Sequence, residues 1–161
     1  INGLQKMSNN SINALNKLPK EKIIRIAFLI KETKIKLVDL NKSIKISNRN
    51  VVKLQNILSI KRIIKSENDA KIHKYYYGEE VALVNYKLNQ FINNNKVNNK
   101  ILNVLKNWIV PKLPINGDDV IKYKKINGKE IGIVLSKIEI WWIKNYFFPD
   151  RKECLKKLKG I

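Results

Sequence analysis

The sequence predicts an all-α protein, an irregular helical bundle of roughly seven to eight helices in two lobes. Three observations carry that expectation. Apolar residues recur at helical spacing along nearly all of the 161 residues, and they make up 44% of the chain, enough for a real core. Strand-like alternation never lasts; "KETKIKLVDL" at 31–40 is the nearest candidate and fits a helix equally well. Pro111 and Pro114 break the pattern and push the residue before each toward extended geometry. That break divides a helical body, 1–110, from a small helical tail lobe, 111–161.

The elements follow in order. Pro19 precedes "KEKIIRIAFLIKET", a helix with Ile23, Ile26, Ala27 and Ile30 on its inner face. Ser47 is a good N-cap for "NRNVVKLQNILSI". At about 100° per residue, Val51, Leu54 and Leu58 share one side of that helix while Arg49 and Lys53 point the other way. Gly78 opens "EEVALVNYKLNQFI", with Val81, Val84, Leu88 and Phe91 inward. The asparagine run at 93–99 is a loop, and "KILNVLKNWI" is a short helix after it. Beyond the prolines, Pro114 and Gly117 make a turn, and Asp118 or Asp119 caps a short helix. Asn127-Gly128 makes a second turn and starts a longer helix. Ile131, Val134, Leu135, Ile138 and Trp142 line one side of it, beside Gly132, whose missing side chain suits close approach of a backbone. Ile133 and Ile140 fall on the opposite side, so this helix is either sandwiched or awaits a partner. Asp150 caps the last helix, "DRKECLKKLK".

Charge is the strongest functional signal. The net charge is +20, with 33 basic groups against 13 acidic. Isoleucine, lysine and asparagine all have A/T-only codons, so nucleotide bias accounts for part of the lysine. The excess is not a tail, because every third of the chain is positive. A folded body of this kind suits a polyanion, with phosphates as the natural partner. Arg25, Arg49, Arg62 and Arg151 are the only arginines. Lysine is a mobile point charge, and arginine's planar fork is what reads base edges, so the balance favours tracking a backbone by shape.

Candidates for chemistry are few. Asp118-Asp119 diverge by about 100° at a helix start and cannot clamp one ion together. Glu79-Glu80 suit a first helical turn, and Glu67-x-Asp69 reads as a polar connection. His73 is the only histidine and reads as a surface or loop residue; one ligand makes no zinc site. Cys154, the single cysteine, rules out an internal disulfide framework, fits a reducing cytosol and packs by default, although lysine neighbours favour a lowered pKa. Tyr75-Tyr76-Tyr77, among lysines, can stack unpaired bases, with Tyr75 and Tyr76 the candidates. Trp142 points inward and Trp141 sits at the edge. No apolar run is long enough to cross a bilayer and no secretory leader is evident, so a cytoplasmic protein with no membrane partner is expected. Ile1 and "INGLQKMSNN" read as mid-protein sequence, the start of a fragment or of one half of a divided gene.

"LPINGDD" followed by "GKEIGIVLSKIEIWWI" resembles the C-terminal signature of bacterial tRNA nucleotidyltransferases (CCA-adding enzymes) and poly(A) polymerases. That pattern runs Pro-x-x-Gly-x-Asp-Leu, a short helix, then Gly-x-x-Ile-Gly-x-x-Leu. Gly117, Asp119, Gly128, Ile131, Gly132 and Leu135 fall on it as structural residues, with Val120 in place of leucine. Upstream, "LNKSIKISNRNVVKLQNIL" resembles the family's Arg-Leu-Lys-Leu-Ser-Asn segment, and "INALNKLPKEKIIRIAFLI" the helix before it. Lys124 and Asn127 depart from the family's glycine and proline; lysine costs about 1 kcal/mol there if positive φ is required.

The resemblance implies the body and tail that grip the acceptor–TΨC side of tRNA. The catalytic head, with its Gly-Ser turn and Asp-x-Asp pair, has no counterpart in this sequence. Magnesium and the nucleoside triphosphate belong to that head, so no cofactor is expected here, and the chain is not expected to be an enzyme by itself. A separately encoded head is an expected partner beside tRNA or another structured RNA. Expected phosphate contacts are Arg49, Lys53, Lys61, Arg62, Lys122, Lys124, Lys125 and Lys129. The rival reading is a standalone basic nucleic-acid-binding scaffold on the ribosome or DNA. The missing histidine and carboxylate constellations count against a third, an autonomous hydrolase.

Overall fold

The structure is a computed structural model that describes residues 9–124, 126 and 128–161. Among them every regular element is an α-helix. The order is α1 (Asn9–Lys17), α2 (Lys22–Thr33), α3 (Leu37–Ile44), α4 (Asn48–Ser59), α5 (Glu67–Ile92), α6 (Asn99–Asn107), α7 (Gly117–Lys124), α8 (Lys129–Lys144) and α9 (Arg151–Lys159). The all-helical expectation holds, with nine helices among the described residues. "KETKIKLVDL" is split between the end of α2 and the start of α3. The chain divides into two compact units, Ile1–Trp108 and Ile109–Ile161.

In the first unit, α5 serves two cores. Val81, Val84 and Leu88 join Ile24, Ala27 and Phe28 of α2 and Leu54 and Ile57 of α4. Ala70, Ala82 and Tyr86 join Ile64 and, from α6, Ile101, Val104 and Leu105. The inner face of α2 is rotated from its expected position: Ile24 and Phe28 are buried, and Ile23 and Ile26 are only partly so. A stripe of neighbouring isoleucines leaves the rotation open by about one residue, and packing decides it. In α4 the buried pair is Leu54 and Ile57, with Val51 and Leu58 half-buried.

Gly78 (φ 77°, ψ 167°) interrupts α5 and kinks it, a backbone that favours glycine. Ser66 begins the helix through a capping box: its hydroxyl accepts from the Asp69 N–H at 3.1 Å while Asp69 accepts from the Ser66 N–H. Glu67-x-Asp69 is therefore a helix start rather than a polar connection. α2 and α3 end on Lys34 (φ 56°) and Lys45 (φ 45°), left-handed positions usually held by glycine.

The second unit packs Ile115, Val120, Ile138, Trp142, Ile143, Cys154 and Leu158 inward. Trp142 Nε1 donates to the Pro149 carbonyl at 3.0 Å, and the Phe147 ring meets the Trp142 ring edge-on at 5.0 Å. Asp150 and Glu153 form a capping box at the start of α9.

Candidate nucleic-acid interface

The glycine–aspartate turn of the second unit is a structural clasp. Asn116 caps α7: its side chain accepts from the Asp119 N–H at 3.2 Å, and its own N–H donates to Asp119 Oδ2 at 3.0 Å. Neither aspartate is the cap, because α7 begins at Gly117 and Asn116, the residue before it, takes the N-cap position and reaches the Asp119 N–H. Asp119 instead is buried and accepts from Arg151 Nη2 at 2.5 Å, while Arg151 Nη1 donates to the Pro114 carbonyl at 2.7 Å. Burial alone raises the Asp119 carboxyl, but the Asn116 N–H, the Arg151 guanidinium and the Lys122 charge outweigh it and hold the pKa below the usual carboxylate value. Composition and periodicity gave no hint of Arg151 as the partner; only its place two turns before the end of the last helix, opposite the α7 start in the fold, reveals it.

The other motif residues separate by role. Gly117 lies against Ile131, where an added Cβ would sit 3.6 Å from Cγ2 of the isoleucine. Gly128 (φ 57°, ψ −122°) occupies the N-cap of α8 in a conformation suited to glycine. Gly132 admits no close neighbour: a Cβ there would meet nothing within 4 Å, so the expected backbone approach is absent. Leu135 is half-buried. Ile133 and Ile140 are 55% and 50% exposed, so α8 is buried on one side only within its unit. Lys124 ends α7 in helical geometry without the positive φ that would strain it.

The expected phosphate contacts fare unevenly. Arg49 is exposed on the first turn of α4 and has no ion-pair partner among the described residues. Lys53 does not point outward as expected. It lies on the same side of α4 as Ile57, its side chain is 13% exposed, and its ammonium group is held by the Glu80 carboxylate. Lys61 and Arg62 are exposed in the α4–α5 connection, where Arg62 donates to Asp69 at 2.6 Å. Lys122 and Lys129 are exposed, and Lys124 Nζ reaches the Lys159 carbonyl at 3.4 Å. Lys125 and Asn127 lie outside the described residues.

The three tyrosines sit just before the Gly78 kink. Tyr75 and Tyr76 meet edge-on at 5.6 Å, Tyr76 is 55% exposed and Tyr77 is partly exposed. His73 is not on the surface. It is 1% exposed within α5, its Nδ1 has no hydrogen-bond partner, and burial together with the Arg62 charge lowers its pKa. Lys74 beside it is buried too, its ammonium donating to Glu79 at 3.1 Å and to the Lys106 carbonyl at 2.9 Å. The Cys154 thiol is raised by burial and by Asp150 and Glu153, the reverse of the lowering its lysine neighbours suggested. Among the described residues no group of three or more His, Cys, Asp or Glu side chains could hold a metal ion. No described helix is long and apolar enough to cross a membrane.

A segment of this all-helical, strongly basic chain is similar in sequence to CCA-adding enzymes. It is 35% identical over 60 residues to the CCA tRNA nucleotidyltransferase 1, mitochondrial, of Danio rerio, which is 37% of this chain and 14% of that protein. The Mus musculus and Homo sapiens proteins of the same name match at 32% and 30% over 59 residues, again 37% of this chain and 14% of theirs. The matched segment thus spans about one seventh of these relatives. No protein-family model matches the chain. No solved structure matches it.

Proposed function

We propose that this chain is the tRNA-binding and tRNA-positioning part of a tRNA nucleotidyltransferase or poly(A) polymerase, without the catalytic head. The observation that carries this reading is the pairing of a relationship to CCA-adding enzymes with exposed cations that form no ion pair among the described residues, Arg49 and Lys61 in the first unit and Lys122 and Lys129 in the second. With 33 basic groups and 13 acidic ones, most cations have no internal carboxylate to meet. Their charges neutralise RNA phosphates and release counterions, and each unit's fold holds its own cations at the surface. Lys53, committed to Glu80, acts within the fold instead. Tyr76 offers a stacking surface to an unpaired base.

Nucleotide addition needs carboxylates that converge on magnesium. The adjacent pair in this chain does not fit that task, since Asp119 turns inward to Arg151 and Asn116 while Asp118 is exposed. Bond formation is assigned to a head supplied elsewhere, which would also bring the magnesium and the nucleoside triphosphate.

Gel-shift titration of the chain with folded tRNA, unstructured RNA and duplex DNA tests the reading. The expected result is preference for folded tRNA, with affinity falling about 10³-fold or more between about 50 and 200 mM salt if six phosphates are neutralised. Equal binding to all three polymers would favour a general basic scaffold. Incorporation of labelled nucleotides into tRNA by this chain alone would overturn the division of roles.

A further inference from the structure

The first unit contains two adjoining clefts that share Ile63 and Lys65 as a common wall. The larger, about 600 Å³, runs from the α4–α5 connection across the end of α5 to the start of α6. The smaller, about 410 Å³, is bounded by Lys61, Arg62 and Asp69. We infer that the larger cleft receives one unpaired nucleotide of an RNA strand, its base against the amides of Gln90 and Asn95 and its phosphates at Lys61, Lys65 and Lys96. The inference deepens the RNA-binding reading above and rests on it.

Three features of the cleft converge on that ligand. The first is size, since clefts of about 300–1,000 Å³ suit small organic ligands of nucleotide dimensions. The second is the state of its amides. Asn89 is committed to Lys31 at 3.4 Å and Asn85 at 3.0 Å, Asn93 to the Asn89 carbonyl at 2.7 Å, and Asn98 to the Lys100 N–H at 2.9 Å. Gln90 and Asn95 make no such bond among the described residues, and each offers a paired donor and acceptor. That pairing matches a base edge, the N6/N7 edge of adenine best of all. Ile63, 45% exposed on the shared wall, gives the base an apolar surface.

The third feature is charge. Lys65 from the α4–α5 connection and Lys96 from the α5–α6 connection line the larger cleft, so cations reach it from two separate loops, and Lys61 lines the smaller cleft beside it. None of the three has a carboxylate partner among the described residues. Asp69, the carboxylate on the smaller cleft, is already satisfied by Arg62, the Ser66 hydroxyl and two backbone N–H groups. It therefore repels a phosphate less than a bare carboxylate would.

Calorimetric titration of the whole chain with AMP, CMP and an adenine oligoribonucleotide, beside the tRNA gel shift, tests the assignment. AMP should bind more tightly than CMP, and the oligonucleotide should displace it. A Gln90→Ala/Asn95→Ala variant should weaken AMP about tenfold, as loss of paired hydrogen bonds does. Lys96→Glu should weaken AMP similarly, with thermal unfolding unchanged in both variants. Absence of AMP binding at millimolar concentration, or equal binding by the double variant, overturns the cleft while leaving tRNA binding to stand on its own test. AMP binding that the oligonucleotide cannot displace overturns the RNA assignment in favour of a free-nucleotide site. Failure of tRNA binding with AMP binding intact removes the broader reading alone.

Discussion

At the scale of single residues, the two glycines of the α8 start carry opposite expectations. Gly128 holds φ 57° and ψ −122°, so Gly128→Ala should cost about 1–2 kcal/mol in urea unfolding. Gly132 lies inside α8 with open space where a Cβ would go, so Gly132→Ala should stabilise by about 0.5–1 kcal/mol. A shared motif therefore hides two different roles, and spacing alone could not separate them. Lys34 adds a third case, because it closes α2 in the left-handed region without being glycine. His73 gives stability a dependence on pH below neutrality. Its pKa is lowered, so the unfolded chain binds the proton more readily than the folded one. Its contribution to stability is complete above the unfolded value near 6.5 and is lost as pH falls from there toward the lower folded value. Urea midpoints should drop from pH 7.5 to pH 5.5, and a His73→Leu variant should lose most of that slope. Equal slopes would clear His73 of the effect.

At the scale of elements, α4 shows how far helical spacing can be read. Its existence, its boundary at Ser47 and the burial of Leu54 were legible, because a run of apolar residues at spacings of three and four has few other uses, although the Ser47 hydroxyl makes no capping bond. The orientation was not fully legible. Lys53 and Ile57 share a side, and only the approach of Glu80 from α5 makes a half-buried lysine tolerable there. The same limit hid the inner face of α2 and the Arg151 partner of Asp119, since both depend on which helix arrives from elsewhere in the chain. Among the expected interface residues, Arg49 and Lys53 accordingly separate. Arg49→Glu should weaken tRNA binding and leave the unfolding midpoint nearly unchanged. Lys53→Met should lower the midpoint modestly and leave the salt dependence of binding intact, as the gel shift and urea titration would show. If Lys53→Met instead removes one unit of salt slope, its ammonium group reaches phosphate after all.

At the scale of the molecule, each unit has its own interior, so its tolerance to change can be argued within that unit. Leu54→Ala in the first core should cost about 2–5 kcal/mol, measured by denaturant unfolding. The second unit is small, and the clasp of Asp119 by Arg151 joins its beginning to its last helix. A chain cut short before Arg151 would keep α7 and α8 intact in sequence yet leave a sunken anion without its guanidinium partner and remove Cys154 and Leu158 from the core. Termination just ahead of Arg151 should thus behave as loss of the entire second unit, and quality-control proteases should meet an all-or-none substrate rather than a gently frayed one.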